Sequence, residues 1–314
     1  MIIAVFPGQG SQTPGFLAPW LELEGARDRL DAYSDLAEVD LVAAGTEWDA
    51  ERIRDTRVAQ PLIVAASLLS WHALSARQGS IGGVAGHSVG EVAALVAAGV
   101  LSDHDGMRLV GVRGRAMADA AALEGTGMSA VLGGDQDAVL ARLAELDLTP
   151  ANYNGGGQIV AAGALDALGA LSEAPPASSR VIALQVAGAF HTRYMAPAVS
   201  ALRSAADDVS AADPTVHLWT NHDGTTVNSG RDALDLLVNQ VASPVRWDLC
   251  MSSFAEHGVT GIIEFSPAGT LTGLAKRGLR GTPSVALKTP DDLPAAVDLI
   301  RSSAEAASTT GGIA

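Results

Sequence analysis

The stretch Gly82–Leu101 reads GGVAGHSVGEVAALVAAGVL. Gly82–Gly86 is a small-residue, Gly-rich strand candidate, and Glu91–Leu101 reads as a helix. Between them stands Gly86-His87-Ser88-Val89-Gly90, a G-x-S-x-G motif. Strand, sharp turn and helix is the context that lifts a serine hydroxyl above a sheet as a nucleophile. The glycines let the chain turn where a Cβ would clash. The N–H groups opening the next helix point at any oxyanion formed there. Ser88 and Glu91 also spell S-x-x-E, which can be a capping box.

The surroundings extend the same pattern. Ile2–Phe6 is a short apolar run closed by Pro7-Gly8, a buried strand and a turn. Ala59–Leu74 is apolar all round and reads as a buried helix, and Asp105–Ala122 as another. This alternation predicts α/β architecture with a parallel sheet. From Met128 to Val186 the order changes: strand Met128–Leu132, helix Gln136–Leu146, strands Ala151–Tyr153 and Ile159–Ala162 about Gly155-Gly156-Gly157, helix Leu165–Leu171, strand Val181–Val186. That is β-α-β-β-α-β, the ferredoxin-like pattern. It predicts a small domain over 125–188 inserted into a large α/β domain over 1–124 and 189–314. Beyond it come helices near Ala196–Val209, Asp232–Val241 and Trp247–His257, and strands at His217–Thr220 and Gly261–Phe265. The small, polar Ser302–Ala314 reads as a disordered tail.

Composition narrows the class. The chain has 314 residues, 48% hydrophobic and 18% charged, with 34 Gly and 14 Pro in no repeat; that excludes disordered and collagen-like chains. A net charge of −15 argues against a general nucleic-acid binder or an anionic-membrane protein. The single cysteine, Cys250, permits no internal disulfide. The start lacks a basic leader region, and the most apolar stretches, near Leu62–Leu74 and Val92–Leu101, fall short of the roughly 18–20 residues of a membrane span. The expectation is a soluble, cytoplasmic protein.

A serine nucleophile needs a base. Of seven histidines, His257 suits a helix end, His72 a buried helix, and His104 a solvated helix start, while His87 adjoins the serine but leaves the turn in another direction. His191 follows Val186-Ala187-Gly188-Ala189-Phe190 at the edge of the inserted unit, where a cleft is expected. No acid stands out to complete an esterase triad, whose order would be Ser, acid, then a His near the chain end. Gln9, in Pro7-Gly8-Gln9-Gly10, lies on a turn whose N–H groups can reach an oxyanion; the spacing is not G-x-G-x-x-G. Arg108 and Arg115 share one face of their helix and Arg113 points elsewhere; an arginine reaching the cleft would suit a carboxylate. No metal-ligand signature is present.

Phe6-Pro7-Gly8-Gln9-Gly10-Ser11-Gln12, Gly86-His87-Ser88-Val89-Gly90-Glu91, Arg113-Gly114-Arg115-Ala116-Met117, Ala189-Phe190-His191-Thr192 and Pro267-Ala268-Gly269-Thr270-Leu271-Thr272-Gly273-Leu274 together resemble the malonyl-CoA:acyl carrier protein transacylases, in the family's order and over nearly the whole chain. The resemblance implies an α/β-hydrolase-like large domain with an inserted ferredoxin-like small domain. It implies malonyl transfer from malonyl-CoA to the phosphopantetheine thiol of acyl carrier protein through a malonyl-serine, with no cofactor, metal, nucleic acid or membrane. Ser88 would be the nucleophile, His191 its base, and Gln240 the residue orienting that base through a carbonyl. Gln9 and Val89 would supply oxyanion N–H groups and Arg113 would clamp the malonyl carboxylate. Asn154, His87 and Phe190 would line the substrate site. Gly155-Gly156 departs from the family's more usual Ser-Pro beside Asn154. The basic cluster Lys276, Arg277 and Arg280 is the expected carrier-docking surface. The alternative is a serine thioesterase or esterase using water as acceptor, which a buried carboxylate on His191 would mark. A non-catalytic docking protein is disfavoured because nucleophile, base and arginine are all present.

Overall fold

Strand β1 (Ile2–Phe6) is buried along its whole length. Ile2, Ala4 and Phe6 enter one apolar cluster, while Ile3 and Val5 enter another. A strand covered on both faces shows an unbroken apolar run rather than alternation. The computed structural model describes residues 1–75 and 81–310. After β1 come α1 (Ala26–Ala37), α2 (Leu41–Thr46), α3 (Thr56–Ser75), β2 (Gly83–Gly86), α4 (Gly90–Ala97) and α5 (Asp103–Ala121). A smaller unit follows: β3 (Thr126–Gly133), α6 (Gln136–Glu145), β4 (Thr149–Gly155), β5 (Gln158–Ala164), α7 (Leu165–Glu173) and β6 (Ser179–Ala183). The chain returns through α8 (Ala196–Asp207), β7 (His217–Trp219), β8 (Thr226–Val227), α9 (Gly230–Gln240), α10 (Trp247–Glu256), β9 (Gly261–Glu264), α11 (Thr270–Gly278), β10 (Ser284–Ala286) and α12 (Leu293–Thr310).

Among the described residues, six strands make one sheet in the order β10-β9-β1-β2-β7-β8, all parallel except β8. Phe6 is in register with Gly86. The turns after β1 and β2 therefore leave the sheet side by side, joined by those after β7 and β9. The carboxyl ends of adjacent parallel strands are where open α/β sheets build ligand sites. The large cluster on one face packs α1, α3, α4 and α5 against the sheet, and Trp247, Phe254, Leu271 and Leu274 cover the other face.

The second sheet is antiparallel, in the order β4-β5-β3-β6, with β5 inserted between β3 and β4. That is the split β-α-β arrangement expected from the pattern. Val131, Ile159 and Ala161 face α6 and α7, whereas Met128, Val160 and Ala162 turn toward the main core. Backbone bonds between Tyr153 and Val245, and between Val245 and Ala151, tie β4 to the segment before α10.

Several boundaries depart from the sequence reading. Helix α4 stops at Ala97, because Gly99 takes φ +79° and the Val100 N–H returns to the Leu95 carbonyl, a left-handed helix stop. Strand β6 ends at Ala183 rather than Val186. The expected disordered tail is instead helical through Thr310, anchored by buried Leu293, Ala296 and Ile300; Gly311–Ala314 lie outside the described residues. Helix α3 is longer than its apolar stretch suggested, and among the described residues it alone is long and apolar enough to cross a membrane. Nearly three quarters of that stretch, 72%, is buried inside the protein, the mark of a core helix.

Candidate active site

The turn at Ser88 is closed by bare backbone. A Cβ on Gly86 would lie 2.0 Å from the Gly90 carbonyl carbon, and one on Gly90 would lie 2.1 Å from the Phe6 carbonyl oxygen. Only glycine at both positions lets α4 start this close to β1 and β2. Ser88 itself has φ +53° and His191 has φ +61°. Non-glycine residues held there are strained, and such residues cluster at functional sites. The S-x-x-E pair forms no capping box: no side chain caps the first turn of α4, and both functional groups are engaged elsewhere.

Ser88 Oγ lies 2.7 Å from His191 Nε2, and His191 Nδ1 lies 2.8 Å from the Gln240 main-chain carbonyl. A carbonyl only accepts, so Nδ1 carries the proton and Nε2 is bare, ready to accept from the serine hydroxyl. Burial, then the nearby Arg113 charge, push the His191 pKa down to about 3. The ring is thus neutral at physiological pH, as a general base must be. Among the described residues no hydrogen bond within the chain engages the N–H of Val89 or of Gln9. Val89 directly follows the serine, and Gln9 lines the cleft with it. The Gln9 side chain reaches the other way, to the Arg54 carbonyl and the Thr56 hydroxyl at 3.4 Å each.

The cleft above Ser88 holds about 290 Å³ and is lined by Gln9, His87, Asn154, Phe190, His191 and Arg277, among others. His87 Nε2 pairs with Asn154 Oδ1 at 2.8 Å, bridging the turn after β2 to strand β4. Burial lowers the His87 pKa. Gly155, Gly156 and Gly157 all take positive φ in the hairpin beyond Asn154. Of the basic cluster, Arg277 alone lines the cleft and donates to Gln158 Oε1; Lys276 and Arg280 are exposed beside it.

Arg113 is 1% exposed. Its Nη1 donates to Gln60 Oε1 at 2.7 Å and its Nη2 to Gln240 Oε1 at 2.8 Å, while Nε has no partner. Burial lowers its pKa to about 10, an effect the Glu91 charge opposes. A buried guanidinium satisfied by two neutral amides keeps one N–H free for a carboxylate, although Arg113 is not among the residues that line the cleft over Ser88. Arg108 and Arg115, by contrast, end on the Ala205 and Ala37 carbonyls and are structural.

Three residues here escaped the sequence reading: Gln60, Asn221, and Glu91 in any role beyond capping. Asn221 Oδ1 accepts the Ser88 N–H at 2.7 Å and its Nδ2 donates to the Gly86 carbonyl at 2.7 Å. The available signal was its place just past strand β7, on the sheet edge that carries the other site residues.

Residues 3–306 match the acyl transferase domain family. A malonyl CoA-acyl carrier protein transacylase from Mycobacterium tuberculosis strain H37Rv is 56% identical over 297 residues, covering 93% of this chain and 98% of that relative. The crystal structure of MCAT from Mycobacterium tuberculosis superposes with a TM-score of 0.90 at 55% identity, covering 93% of this chain and 98% of the other. A solved complex of a malonyl-transacylase with its type II PKS acyl-carrier protein matches with a TM-score of 0.89 at 30% identity, covering 95% and 99%. A family match over residues 3–306, a sequence aligned nearly end to end and a closely superposing fold make this chain a member of the malonyl CoA-acyl carrier protein transacylase family of acyltransferases.

Proposed function

We infer that this acyltransferase moves a malonyl group from malonyl-CoA to the phosphopantetheine thiol of an acyl carrier protein, for fatty-acid or polyketide synthesis. The observation that carries the reading is Arg113: a buried cation with a free Nε–H and no carboxylate of its own, within electrostatic reach of His191. An acyl group ending in a carboxylate supplies the missing partner; an acetyl group does not.

In this reading Ser88 Oγ attacks the thioester carbonyl as His191 Nε2 takes its proton. The oxyanion accepts from the Val89 and Gln9 N–H groups. The C–S bond breaks and coenzyme A leaves with the proton from His191. The carrier thiol then gives its proton to His191 and attacks the ester, and Ser88 recovers its proton as it departs. No metal or cofactor is required. Asn154, His87 and Phe190 border the acyl and pantetheine path, and Lys276, Arg277 and Arg280 stand where an acidic carrier would meet the cleft. Hydrolysis to water is disfavoured by the partner of His191, a carbonyl rather than a carboxylate. Intact-mass analysis tests the reading: malonyl-CoA should add one malonyl group to the protein, Ser88→Ala should abolish the adduct, and holo carrier protein should remove it faster than buffer. An adduct unchanged in Ser88→Ala, or lost equally fast without carrier, overturns it.

A further inference from the structure

Arg113 can receive a substrate carboxylate only if Gln240 presents an oxygen, not an NH₂, to its Nη2. A carboxamide can turn end for end, and its surroundings decide which end faces where. Gln240 Nε2 lies 2.5 Å from Glu91 Oε2, 3.1 Å from the Ser88 carbonyl and 3.2 Å from Asn221 Oδ1. All three are acceptors. Glu91 makes the shortest of these contacts, and its other oxygen accepts the Asn221 N–H at 2.5 Å, so the carboxyl group is itself held from two sides. Glu91 is 3% exposed and makes no ion pair within 4 Å among the described residues; burial raises its pKa to about 8, and its carboxyl group is linked to Arg113 through the Gln240 amide.

We propose that Glu91 is a specificity-positioning residue: by holding the NH₂ end of Gln240 it keeps the amide oxygen on Arg113, and so keeps Arg113 set for an acyl carboxylate. This rests on the reading of Arg113 given under Proposed function. Glu91 touches neither the reacting atoms nor the cleft and acts only through Gln240. Replacing it with glutamine offers Gln240 or Asn221 a donor where each now meets an acceptor. Gln240 can then turn its NH₂ toward the guanidinium and push it out of place. Asn221 serves a different end. It fixes the Ser88 N–H and the Gly86 carbonyl, and hence the turn itself, for any acyl group.

The two roles separate in one measurement. Single-turnover acylation of Ser88 by malonyl-CoA and by acetyl-CoA is followed by intact mass in wild type, Glu91→Gln and Asn221→Ala, with folding checked by circular dichroism. Glu91→Gln should lower the malonyl-to-acetyl ratio of kcat/KM by tenfold or more. Asn221→Ala should slow both substrates while leaving that ratio within about twofold. A lost fraction of folded enzyme scales both substrates alike and cannot change the ratio. An unchanged ratio in folded Glu91→Gln overturns the proposal. Should that variant fail to fold, Glu91→Asp, whose carboxylate is drawn back one methylene, replaces it: a lowered ratio supports the proposal and an unchanged one overturns it. A wild type showing no preference for malonyl overturns the reading of Arg113 instead.

Discussion

Arg113 and His191 are two buried bases of opposite charge state, and each makes a separate prediction. On the proposed reading, removing Arg113 takes away the charge that a malonyl carboxylate would use, together with the bonds to Gln60 and Gln240. Arg113→Ala should cost malonyl-CoA kcat/KM on the order of 2–5 kcal/mol, the loss typical of truncating one side of a desolvated charge pair, and cost acetyl-CoA far less. Steady-state release of coenzyme A with both substrates checks this; equal losses would make Arg113 structural. His191, driven to a pKa of about 3 by burial and by Arg113, should stay a competent base well below the ordinary histidine value of 6.5. Acyl-enzyme formation in single turnovers should therefore hold nearly level from pH 8 to about pH 5. An inflection near pH 6.5 would show that the imidazole titrates as in water. Ser88 was legible in its local motif, His191 in its place at the edge of the inserted unit, and Arg113 only through the family resemblance. Asn221 and Gln60 were not, since a lone polar residue has no local pattern. Asn221 gains its meaning only when the fold sets it against Ser88, 133 residues away in sequence.

At the scale of the element, helix α11 is where the proposed reading puts the carrier-docking surface. Its N-terminus is fixed from beneath: the fully buried Glu264 at the end of β9 accepts the Leu271 and Thr272 N–H groups at 2.9 and 2.8 Å. Glu264→Gln should leave one of those N–H groups facing an NH₂ and cost roughly 1–3 kcal/mol, the penalty for an unsatisfied buried donor. The drop in thermal midpoint reads it, and an unshifted midpoint would show that α11 is held by packing alone. The other end of α11 carries Arg277 to the cleft lining and the exposed Lys276 beside it. In a chain of net charge −15, an acidic carrier needs such a local field of opposite sign. Reversing both to Glu should raise KM for carrier several-fold and leave malonyl-enzyme formation nearly intact. Unchanged carrier transfer would move the docking surface elsewhere. Arg193 and Arg246 are weaker candidates, being paired with Asp147 and Asp248. The strands flanking the site were readable because burial on both faces leaves an apolar run. Strand β10, at three residues, is too short to show any period. Helix α1 buries only Ala26, Leu30, Tyr33 and Ala37 among polar neighbours, a stripe that a reading by apolar runs passes over.

For the whole molecule, the buried site sets how stability depends on pH. His191 and His87 are held by burial below the ordinary 6.5. The unfolded chain binds protons there that the folded one refuses, so stability falls as pH drops below 6.5. Glu91 and Glu264 act in the opposite sense. Burial raises Glu91 from 4.5 to about 8 and raises Glu264 as well, so the folded chain keeps protons that the unfolded one releases, and stability falls as pH rises above 4.5. Between 4.5 and 6.5 the two pairs oppose each other. Asp103, despite its partial burial, is held low by hydrogen bonds from His72 and Tyr33, so it adds to the loss in acid. Above 6.5 the histidines no longer titrate in either state and Glu91, held to about 8, still acts with a slope of up to about 1.4 kcal/mol per pH unit. Self-repulsion in this acidic chain adds to that fall. Thermal midpoints should therefore pass through a maximum near pH 6 and decline toward pH 8, and Glu91→Gln should have the shallower decline. A wild-type midpoint level from pH 6.5 to 8 would mean that Glu91 is already ionised in the folded protein, its charge balanced by Arg113 across the Gln240 amide.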